Sequence, residues 1–275
     1  YEAAQPGAAA DVYVVNTCAV TGTSDSKSRQ LLARAHRQNP AALLAAVGCY
    51  AQSDAATVAA LPGVGLVLGT DGRAAIVERV TEALSARANS AFTAEAPPNG
   101  PHTNPARALS YVGNIKEARA FEPLSAVRDG RTRATLKIQD GCANYCAYCI
   151  IPYARGPIRS RSLADTRAQM EAFAAEGYRE IVLTGIHLAS YGRDLGGCDL
   201  LDVLALTREM EGLERVRLGS LEPKFADERF VDAVAANGKI CRQFHLSLQS
   251  GSDAVLARMR RRYTTEEYAR AVALL

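Results

Sequence analysis

Three cysteines, Cys142, Cys146 and Cys149, lie within eight residues near the middle of the chain. Their C-x3-C-x2-C spacing gathers three thiolates, which are the usual ligands of iron–sulfur clusters. A [4Fe–4S] cluster normally takes four thiolates, so three leave one iron open to bind a cofactor. Zinc also usually takes four ligands, and the next histidine, His187, lies 38 residues beyond Cys149. A further alternative is one face of a helix, because positions i, i+4 and i+7 align there.

Two further cysteines, Cys18 and Cys49, each follow a predicted strand, in the segments VVNTCAVT and AVGCYAQ. In a βαβ unit both strands end at the same edge of the sheet, and adjacent strands lie about 4.8 Å apart. We therefore expect both thiols to face one crevice. Two ligands cannot hold a cubane cluster, so such a site needs a third. The alternative is that both cysteines are ordinary small residues in tight turns.

The elements that must position these cysteines alternate between strand and helix. In residues 1–90 this pattern predicts a small doubly wound α/β domain with a parallel sheet. Its predicted strands are 11–15, 42–47 and 64–68, and its predicted helices are 24–38 and 73–88. Residues 91–131 hold five of the 11 prolines and are predicted to be a linker, with a short packed piece near 106–121.

Four more βα units follow in residues 132–275 and predict part of a (β/α) TIM-type barrel. The predicted strands are 134–138, 180–184, 215–218 and 244–248, and the helices are 162–175, 200–210, 227–236 and 253–261. Four units cannot close a barrel, so we expect both domains to be truncated at the chain ends. Gly141 before the cysteines and Pro152 after them favour a loop at the end of the first strand, where barrels place their active sites.

The segment GCANYCAYC resembles the signature of radical S-adenosylmethionine enzymes, in which an aromatic residue, here Tyr148, precedes the last cysteine. NTCAVT, GCYAQ and this signature, in that order, resemble the methylthiotransferase family. The resemblance implies a flavodoxin-like domain, a radical barrel and an RNA-binding domain. It also implies one [4Fe–4S] cluster on Cys142, Cys146 and Cys149, and an auxiliary [4Fe–4S] cluster on Cys18, Cys49 and an upstream cysteine. No cysteine precedes Cys18, which we attribute to a missing N-terminal segment.

Within that family, IQDGCANYCAYCIIPYARGPIRSRS and LTGIHLASYGRDL most resemble the branch that methylthiolates N6-threonylcarbamoyladenosine beside the tRNA anticodon. The resemblance implies that a radical from S-adenosylmethionine abstracts hydrogen from adenine C2. Sulfur then adds there through the auxiliary cluster, and a second S-adenosylmethionine supplies the methyl group. The implied partners are tRNA, a sulfur donor and an electron donor such as flavodoxin or ferredoxin. The alternatives are a ribosomal-protein aspartate methylthiotransferase and a non-catalytic iron–sulfur or zinc-binding protein.

Polar residues after the predicted barrel strands are candidates for cofactor contacts. The resemblance places Thr184 and Gly185 near the methionine amino group and Gln249 near the adenosyl group, and it makes Tyr148 a cofactor contact. Glu222 is a candidate for hydrogen bonding to cofactor or substrate. All of these except Tyr148 have a structural alternative: a strand-end glycine for 184–185, a turn cap for Glu222 and a surface residue for Gln249. His187 is either catalytic or simply packed.

Basic residues cluster around the three-cysteine segment. Residues 128–167 carry eight basic and three acidic side chains, a net charge of 8 − 3 = +5. We predict that Arg155, Arg159 and Arg161 contact tRNA phosphates, the alternative being solvated residues paired with acids. The basic run at 258–262 is interpreted as a solvated helix end. Cys198 and Cys241 have no partner spacing and are interpreted as incidental.

Composition excludes several classes of protein. A 275-residue chain that is 48% hydrophobic supports a sizeable core, which excludes disorder for most of it. No apolar run approaches the roughly 20 residues of a membrane-spanning helix, and the opening segment lacks the layout of a signal peptide. Seven unevenly spaced cysteines disfavour a disulfide scaffold. We therefore expect a cytoplasmic protein without membrane association.

Overall fold

The computed structural model describes residues 1–5, 8–93, 108–123 and 132–275. Contacts divide the chain into two compact units. One comprises Tyr1–Ala118 with Tyr153–Arg155, and the other comprises Arg119–Pro152 with Gly156–Leu275. Some residues counted in the sequence analysis lie outside the described residues, namely four of the five prolines of 91–131 (Pro97, Pro98, Pro101 and Pro105) and the charged residues Arg128, Asp129 and Arg131.

A parallel sheet of four strands forms the centre of the N-terminal unit, and its strands are adjacent in chain order. The strands are β1 (Val12–Thr17), β2 (Leu43–Gly48), β3 (Val64–Leu68) and β4 (Leu109–Tyr111). The helices are α1 (Gly22–Gln38), α2 (Cys49–Ser53), α3 (Ala55–Ala59) and α4 (Ile76–Thr93). The three strands and two long helices predicted from the sequence are all present.

Helices cover both faces of this sheet. All six residues of β2 are buried, and successive side chains of a strand point to opposite faces. Leu44 packs in one core with Leu32 of α1, whereas Leu43 packs in a second core with Val80 of α4. The predicted doubly wound α/β class is therefore confirmed.

The fourth strand lies inside the segment predicted as a linker. Leu109 lies opposite Leu66 of β3, and Tyr111 Oη donates a hydrogen bond to Glu82 Oε2 at 2.5 Å. The Arg79 guanidinium lies 4.3 Å from the centre of the Tyr111 ring. A strand of three residues carries too little alternation to be recognised beside so many prolines. The short packed piece predicted near 106–121 contains this strand.

The C-terminal unit also has a four-stranded sheet, with the order β6-β5-β7-β8. The parallel strands are β5 (Arg133–Asp140), β7 (Glu180–Gly185) and β8 (Arg215–Leu218), and β6 (Arg159–Ser160) pairs antiparallel with the end of β5. The helices from residue 151 onward are α5 (Ile151–Arg155), α6 (Leu163–Ala175), α7 (Leu200–Arg208), α8 (Glu228–Ala235), α9 (Asp253–Arg258) and α10 (Thr265–Leu274).

Helix caps place the helices over the core of this unit. Ser162 Oγ accepts a hydrogen bond from Asp165 N at 3.1 Å and starts α6, and Asp227 Oδ1 accepts one from Phe230 N at 2.9 Å and starts α8. Met170 and Phe173 form an apolar stripe on α6 and are buried against the strands. The caps and the stripe together explain why the predicted helices agree with the structure.

The fourth predicted barrel strand, 244–248, is present as a single parallel bridge between Leu221 and Leu246. Short hydrogen-bonded turns interrupt the chain on both sides of it, because Gln243 N donates to Cys241 O and Leu248 N donates to Leu246 O. These turns use backbone N–H and C=O groups that would otherwise extend the pairing between strands. None of the described helices is long and apolar enough to span a membrane.

Phe230 tests the core of the C-terminal unit. Its side chain is fully buried, with ring centres 5.4 Å from Phe225 and 5.5 Å from Phe244. We expect Phe230→Ala to lower the free energy of unfolding by about 3–5 kcal/mol, because it removes the ring and leaves a cavity. Urea denaturation followed by circular dichroism measures the loss. The control, Val272→Ala, lies on an exposed helix face and should change stability by less than about 0.5 kcal/mol; equal losses would contradict this packing.

Candidate metal centre

The three predicted metal ligands lie on one loop, which leaves the carboxyl end of β5. Cys142 N donates to Gly156 O at 3.1 Å, and Cys149 N donates to Cys146 O at 3.0 Å across a tight turn. No residue from Cys142 to Cys149 is helical. The helical-face alternative is therefore wrong, and the loop predicted from Gly141 and Pro152 is present.

Gly141 allows the chain to turn sharply out of β5. Its φ is +73°, in the left-handed region, and a Cβ atom there would lie 1.8 Å from Pro157 O. Asp140 Oδ1 accepts a hydrogen bond from Gly141 N at 2.9 Å. Any larger residue would have to displace the backbone that follows the loop.

Arg261 holds the far side of the loop. Ala147 N donates to Met259 O at 3.0 Å, and Arg261 Nη1 donates to Cys146 Sγ at 3.3 Å. The Arg261 side chain is only 7% exposed. Although burial opposes its charge, the hydrogen bond to Cys146 helps to raise the pKa of Arg261. The interpretation of 258–262 as a solvated helix end is therefore wrong for Arg261.

Glu222 joins Arg261 to the other side of the loop. Its Oε1 lies 3.4 Å from Arg261 Nη2, and its Oε2 lies 3.0 Å from His187 Nε2. His187 Nε2 also lies 3.1 Å from Asn144 Nδ2, within the cysteine loop. Burial raises the pKa of Glu222, but its contacts with His187 and Arg261 outweigh burial and lower it. Glu222 is therefore an ionised bridge between three segments.

Gln139 fixes the start of the loop against the segment after β7. Its Nε2 donates to Gly141 O at 2.8 Å, and its Oε1 accepts from His187 N at 2.7 Å. Gly185 lies against it, because a Cβ atom there would be 2.9 Å from Gln139 Cβ. The half-buried Thr184 is in register with Lys137 of β5. This close approach explains why a glycine is needed at position 185, and the contact of Gly185 with a cofactor stays a prediction.

The segment LASYGRDL is anchored on β6 rather than on the cysteine loop. Asp194 accepts hydrogen bonds from Ser160 N at 2.8 Å and Ser160 Oγ at 2.6 Å, and Ser160 Oγ accepts one from Gly192 N at 2.9 Å. Tyr191 Oη donates to Arg161 O at 2.7 Å, and burial raises the pKa of Tyr191 to about 12. These contacts hold the loop that carries His187.

The three cysteines supply the ligand chemistry of an iron–sulfur cluster, although their thiols are not gathered into a ligand arrangement in this structure. Burial raises the pKa of the Cys142 thiol, and its neighbours Cys146 and Cys149 add to this effect. Two buried atoms at this edge, His187 Nδ1 and Arg261 Nε, have no hydrogen-bond partner among the described residues. Folded proteins seldom leave such atoms unpaired, so a polar bound group would complete the site. In the described part of the chain, no three His, Cys, Asp or Glu side chains are arranged to hold a metal ion.

The other two predicted cofactor contacts lie at the surface of this region. Tyr148 is 52% exposed. Gln249 is exposed and has a left-handed φ of +64°. Tyr263 Oη donates to Ser247 O and Leu248 O, both at 2.5 Å, which fixes the segment that leads to Gln249. Their contacts with a cofactor stay predictions.

The arginines predicted to contact tRNA are mostly buried. Arg159 is 2% exposed and lies 3.8 Å from Asp140 Oδ2. Arg161 is 3% exposed and donates to Asp165 Oδ2 at 2.6 Å. Neither guanidinium is available to a phosphate, because both are enclosed with acidic partners, so the predicted RNA contact does not fit them. Arg155 is half-buried at the end of α5, and its RNA contact stays a prediction.

Cys18 and Cys49 follow β1 and β2 at the same edge of the N-terminal sheet. Thr17 lies opposite Gly48 in the parallel register, so the two cysteines are the next pair along. Thr17 Oγ1 donates to Val47 O at 2.9 Å and accepts from Ala51 N at 3.2 Å, which ties the two strand ends together. Cys18 is exposed, whereas Cys49 is buried. The register thus places both cysteines just after neighbouring strand ends, and the shared crevice expected for their thiols stays a prediction.

Comparison with known proteins identifies the family. A profile of the Radical SAM superfamily matches residues 136–275, just over half of the chain. The chain belongs to the radical SAM superfamily. A second profile, described as Uncharacterized protein family UPF0004, matches residues 1–69. The radical SAM match covers the cysteine loop and the segments that surround it.

Curated relatives and a solved structure agree with this membership. The chain is 42% identical over 263 residues to threonylcarbamoyladenosine tRNA methylthiotransferase MtaB of Bacillus subtilis, covering 94% of this chain and 54% of that protein. It is 37% identical to tRNA-2-methylthio-N(6)-dimethylallyladenosine synthase of Parafrankia sp., covering 98% and 51%. The radical SAM methyltransferase TsrM of Kitasatospora setae shares the fold, with a TM-score of 0.64 and 18% identity over 98% of this chain and 55% of that one. The chain thus spans about half the length of the curated relatives it matches. Their names confirm the predicted resemblance to methylthiotransferases.

Several residues that contact the cysteine loop or its neighbours were not recognised in the sequence. Asn144, Gln139 and Arg261 carry no metal-ligand spacing, and Arg261 is one of three consecutive arginines. The available signal was their position beside the cysteines and after the strands. It did not show which side chains point inward.

Gly141 tests whether the backbone turn is required for the radical SAM loop. We expect Gly141→Ala to destabilise the protein more than Gly196→Ala, measured as the thermal unfolding temperature. Both positions have left-handed φ values, +73° and +68°, so both variants incur a cost of about 1–2 kcal/mol. Only at Gly141 does the new Cβ meet backbone, since no atom lies within 4 Å of the Cβ position at Gly196. Equal losses would contradict the tight turn.

Proposed function

We propose that this protein is a tRNA methylthiotransferase that converts N6-threonylcarbamoyladenosine beside the anticodon into its 2-methylthio derivative. The observation that carries the proposal is the cysteine loop at the carboxyl end of β5, held by Arg261, Glu222 and His187. Identity of 42% to a curated enzyme of that name supports the same reaction. We propose that the protein acts in the cytoplasm, with tRNA, a sulfur donor and an electron donor as partners.

In this proposal Cys142, Cys146 and Cys149 hold a [4Fe–4S] cluster. When bound, such a cluster supplies the electron that cleaves S-adenosylmethionine to a 5′-deoxyadenosyl radical. The chain's own part is to orient the loop, through Gln139 at its start and Arg261 at its end. Thr184, Gly185, Glu222 and Gln249, together with Tyr148, are proposed to line the cofactor site.

The choice of substrate branch rests on two observations. The first is the segment Gly185-Ile186-His187, which resembles the threonylcarbamoyladenosine branch at that position. The second is the 42% identity to the Bacillus subtilis relative of that branch. Three other relatives of that branch are 30–38% identical, which overlaps with the 33–37% of four dimethylallyladenosine synthases. The dimethylallyladenosine reaction is the competing outcome.

Nucleoside analysis of tRNA tests the function. In cells that lack the whole gene, we expect the 2-methylthio-N6-threonylcarbamoyladenosine peak to disappear from digested tRNA, as measured by mass spectrometry. The wild-type gene and a Cys241→Ala variant should restore it, because Cys241 N donates to Val216 O near the start of β8, at the sheet edge opposite the loop. A Cys142→Ala variant should not restore it, because one of three cluster ligands is lost.

Two results would decide against this assignment. An unchanged peak in the deleted cells would refute the substrate branch. Loss of the methylthio derivative of dimethylallyladenosine instead would assign the enzyme to the competing branch.

We further propose that Cys18 and Cys49 contribute ligands to a second [4Fe–4S] cluster. Alanine replacement of Cys142, Cys146 and Cys149 together should leave about four irons per whole gene product after anaerobic reconstitution. Adding Cys18→Ala and Cys49→Ala should remove that iron as well. Complete loss of iron in the first variant would refute the second cluster, whatever the activity.

A further inference from the structure

We propose that Arg261 is a positioning residue for the cysteine loop and that its hydrogen bond to Cys146 raises the reduction potential of a cluster bound there. The inference rests on the proposed function only in taking Cys146 as an iron ligand. Neither the sequence signature nor the family match names this residue. It is carried by the contacts that Arg261 makes.

The position of Arg261 is determined by contacts on both sides. Nη1 donates to Cys146 Sγ at 3.3 Å and Nη2 lies 3.4 Å from Glu222 Oε1, so the two ends of one planar guanidinium join the loop to the segment after β8. The plane also lies over the Tyr263 ring, with a distance of 5.0 Å from Cζ to the ring centre. A side chain held at three places has little freedom to leave the sulfur.

The neighbouring arginines do not share this environment. Arg260 has a left-handed φ of +57°, which turns the chain after α9, and both Arg260 and Arg262 are exposed. Arg261 N donates to Leu256 O at 2.9 Å, which closes the end of that helix. The turn directs Arg261 inward and leaves two arginines of the same charge at the surface. Arg260 and Arg262 therefore provide matched controls for substitutions of Arg261.

The loop depends on this segment for its backbone as well. Ala147 N donates to Met259 O at 3.0 Å, two residues before Arg261. Residues of the loop lie outside any regular element, so these two contacts with 259–261 hold its second half. Weakening the Arg261 contact should therefore loosen the Ala147 contact too.

The chemical consequence follows from the charge on sulfur. Iron–sulfur clusters become more negative on reduction, and hydrogen bonds to their sulfurs, like nearby positive charge, stabilise the reduced state. The buried guanidinium of Arg261 supplies both a hydrogen bond and a positive charge at Cys146. Its charge acts strongly there because little water screens it. Removing it should shift the reduction potential of the cluster in the negative direction.

The experiment compares Arg261→Gln, Arg261→Lys and the control Arg262→Gln in the whole gene product. After anaerobic reconstitution, the midpoint potential is measured by a redox titration followed by electron paramagnetic resonance. We expect a more negative potential for Arg261→Gln and a smaller shift in the same direction for Arg261→Lys, which keeps the charge but not the two-ended contact. Arg262→Gln should match the wild type.

A second measurement uses the metal-free protein. Hydrogen exchange at the peptide that contains Ala147 should be about fivefold faster in Arg261→Gln than in Arg262→Gln, which corresponds to a loss of about 1 kcal/mol. If Arg261→Gln does not fold, the same two measurements are made on Arg261→Lys, which keeps the charge at the site.

The inference is overturned if the Arg261 variants match Arg262→Gln in both exchange and potential. It is also overturned if exchange changes while the potential does not, because that result leaves Arg261 a purely structural role. Absence of iron from the wild-type protein would instead refute the proposed function, and the exchange comparison would still test the position of the loop.

Discussion

The shared carboxylate of Glu222 holds the candidate site together. One oxygen contacts His187 and the other contacts Arg261, while His187 and Arg261 each contact a residue of the cysteine loop. An ionised carboxylate this deeply enclosed is stable only when its charge is paired. The pairing in turn determines where both partners lie. A single enclosed charge therefore holds together three segments that are far apart in the chain.

Around that carboxylate, the cysteine loop is held by hydrogen bonds to neighbouring segments. Its backbone has no regular structure, yet Gly156 O accepts from Cys142 N and Met259 O accepts from Ala147 N. Gln139, the second-last residue of β5, is fully buried, and its side chain donates a hydrogen bond to Gly141 O. Buried peptide groups must be paired somewhere, and here the pairs come from the strand ends and from the end of α9. Thiols on such a loop are held in place without being part of a helix or strand.

The sequence was sufficient where a short local pattern determines the structure. The strand at 64–68 has the predicted bounds, and the helices predicted to begin at residues 162 and 227 have Ser162 and Asp227 as their N-caps. It was insufficient where neighbours distant in sequence decide exposure. Arg159 and Arg161 have the composition of an RNA-binding segment, but β6 pairs with β5 and the side chains are enclosed beside acids. A run of arginines likewise does not reveal that only one of them turns inward.

The two groups of cysteines differ in how the chain brings them together. Cys142, Cys146 and Cys149 are neighbours in sequence, so their spacing alone signals a site, and a change of one residue in that spacing would alter it. Cys18 and Cys49 are neighbours only because β1 and β2 pair with Thr17 opposite Gly48. Because side chains alternate along a strand, a slip of one residue in this register would move the two thiols out of step. The hydroxyl of Thr17, which contacts Val47 O and Ala51 N, ties these two strand ends together, as Glu222 ties together the segments around the cysteine loop. The position of each group of cysteines therefore depends on a polar side chain outside the group.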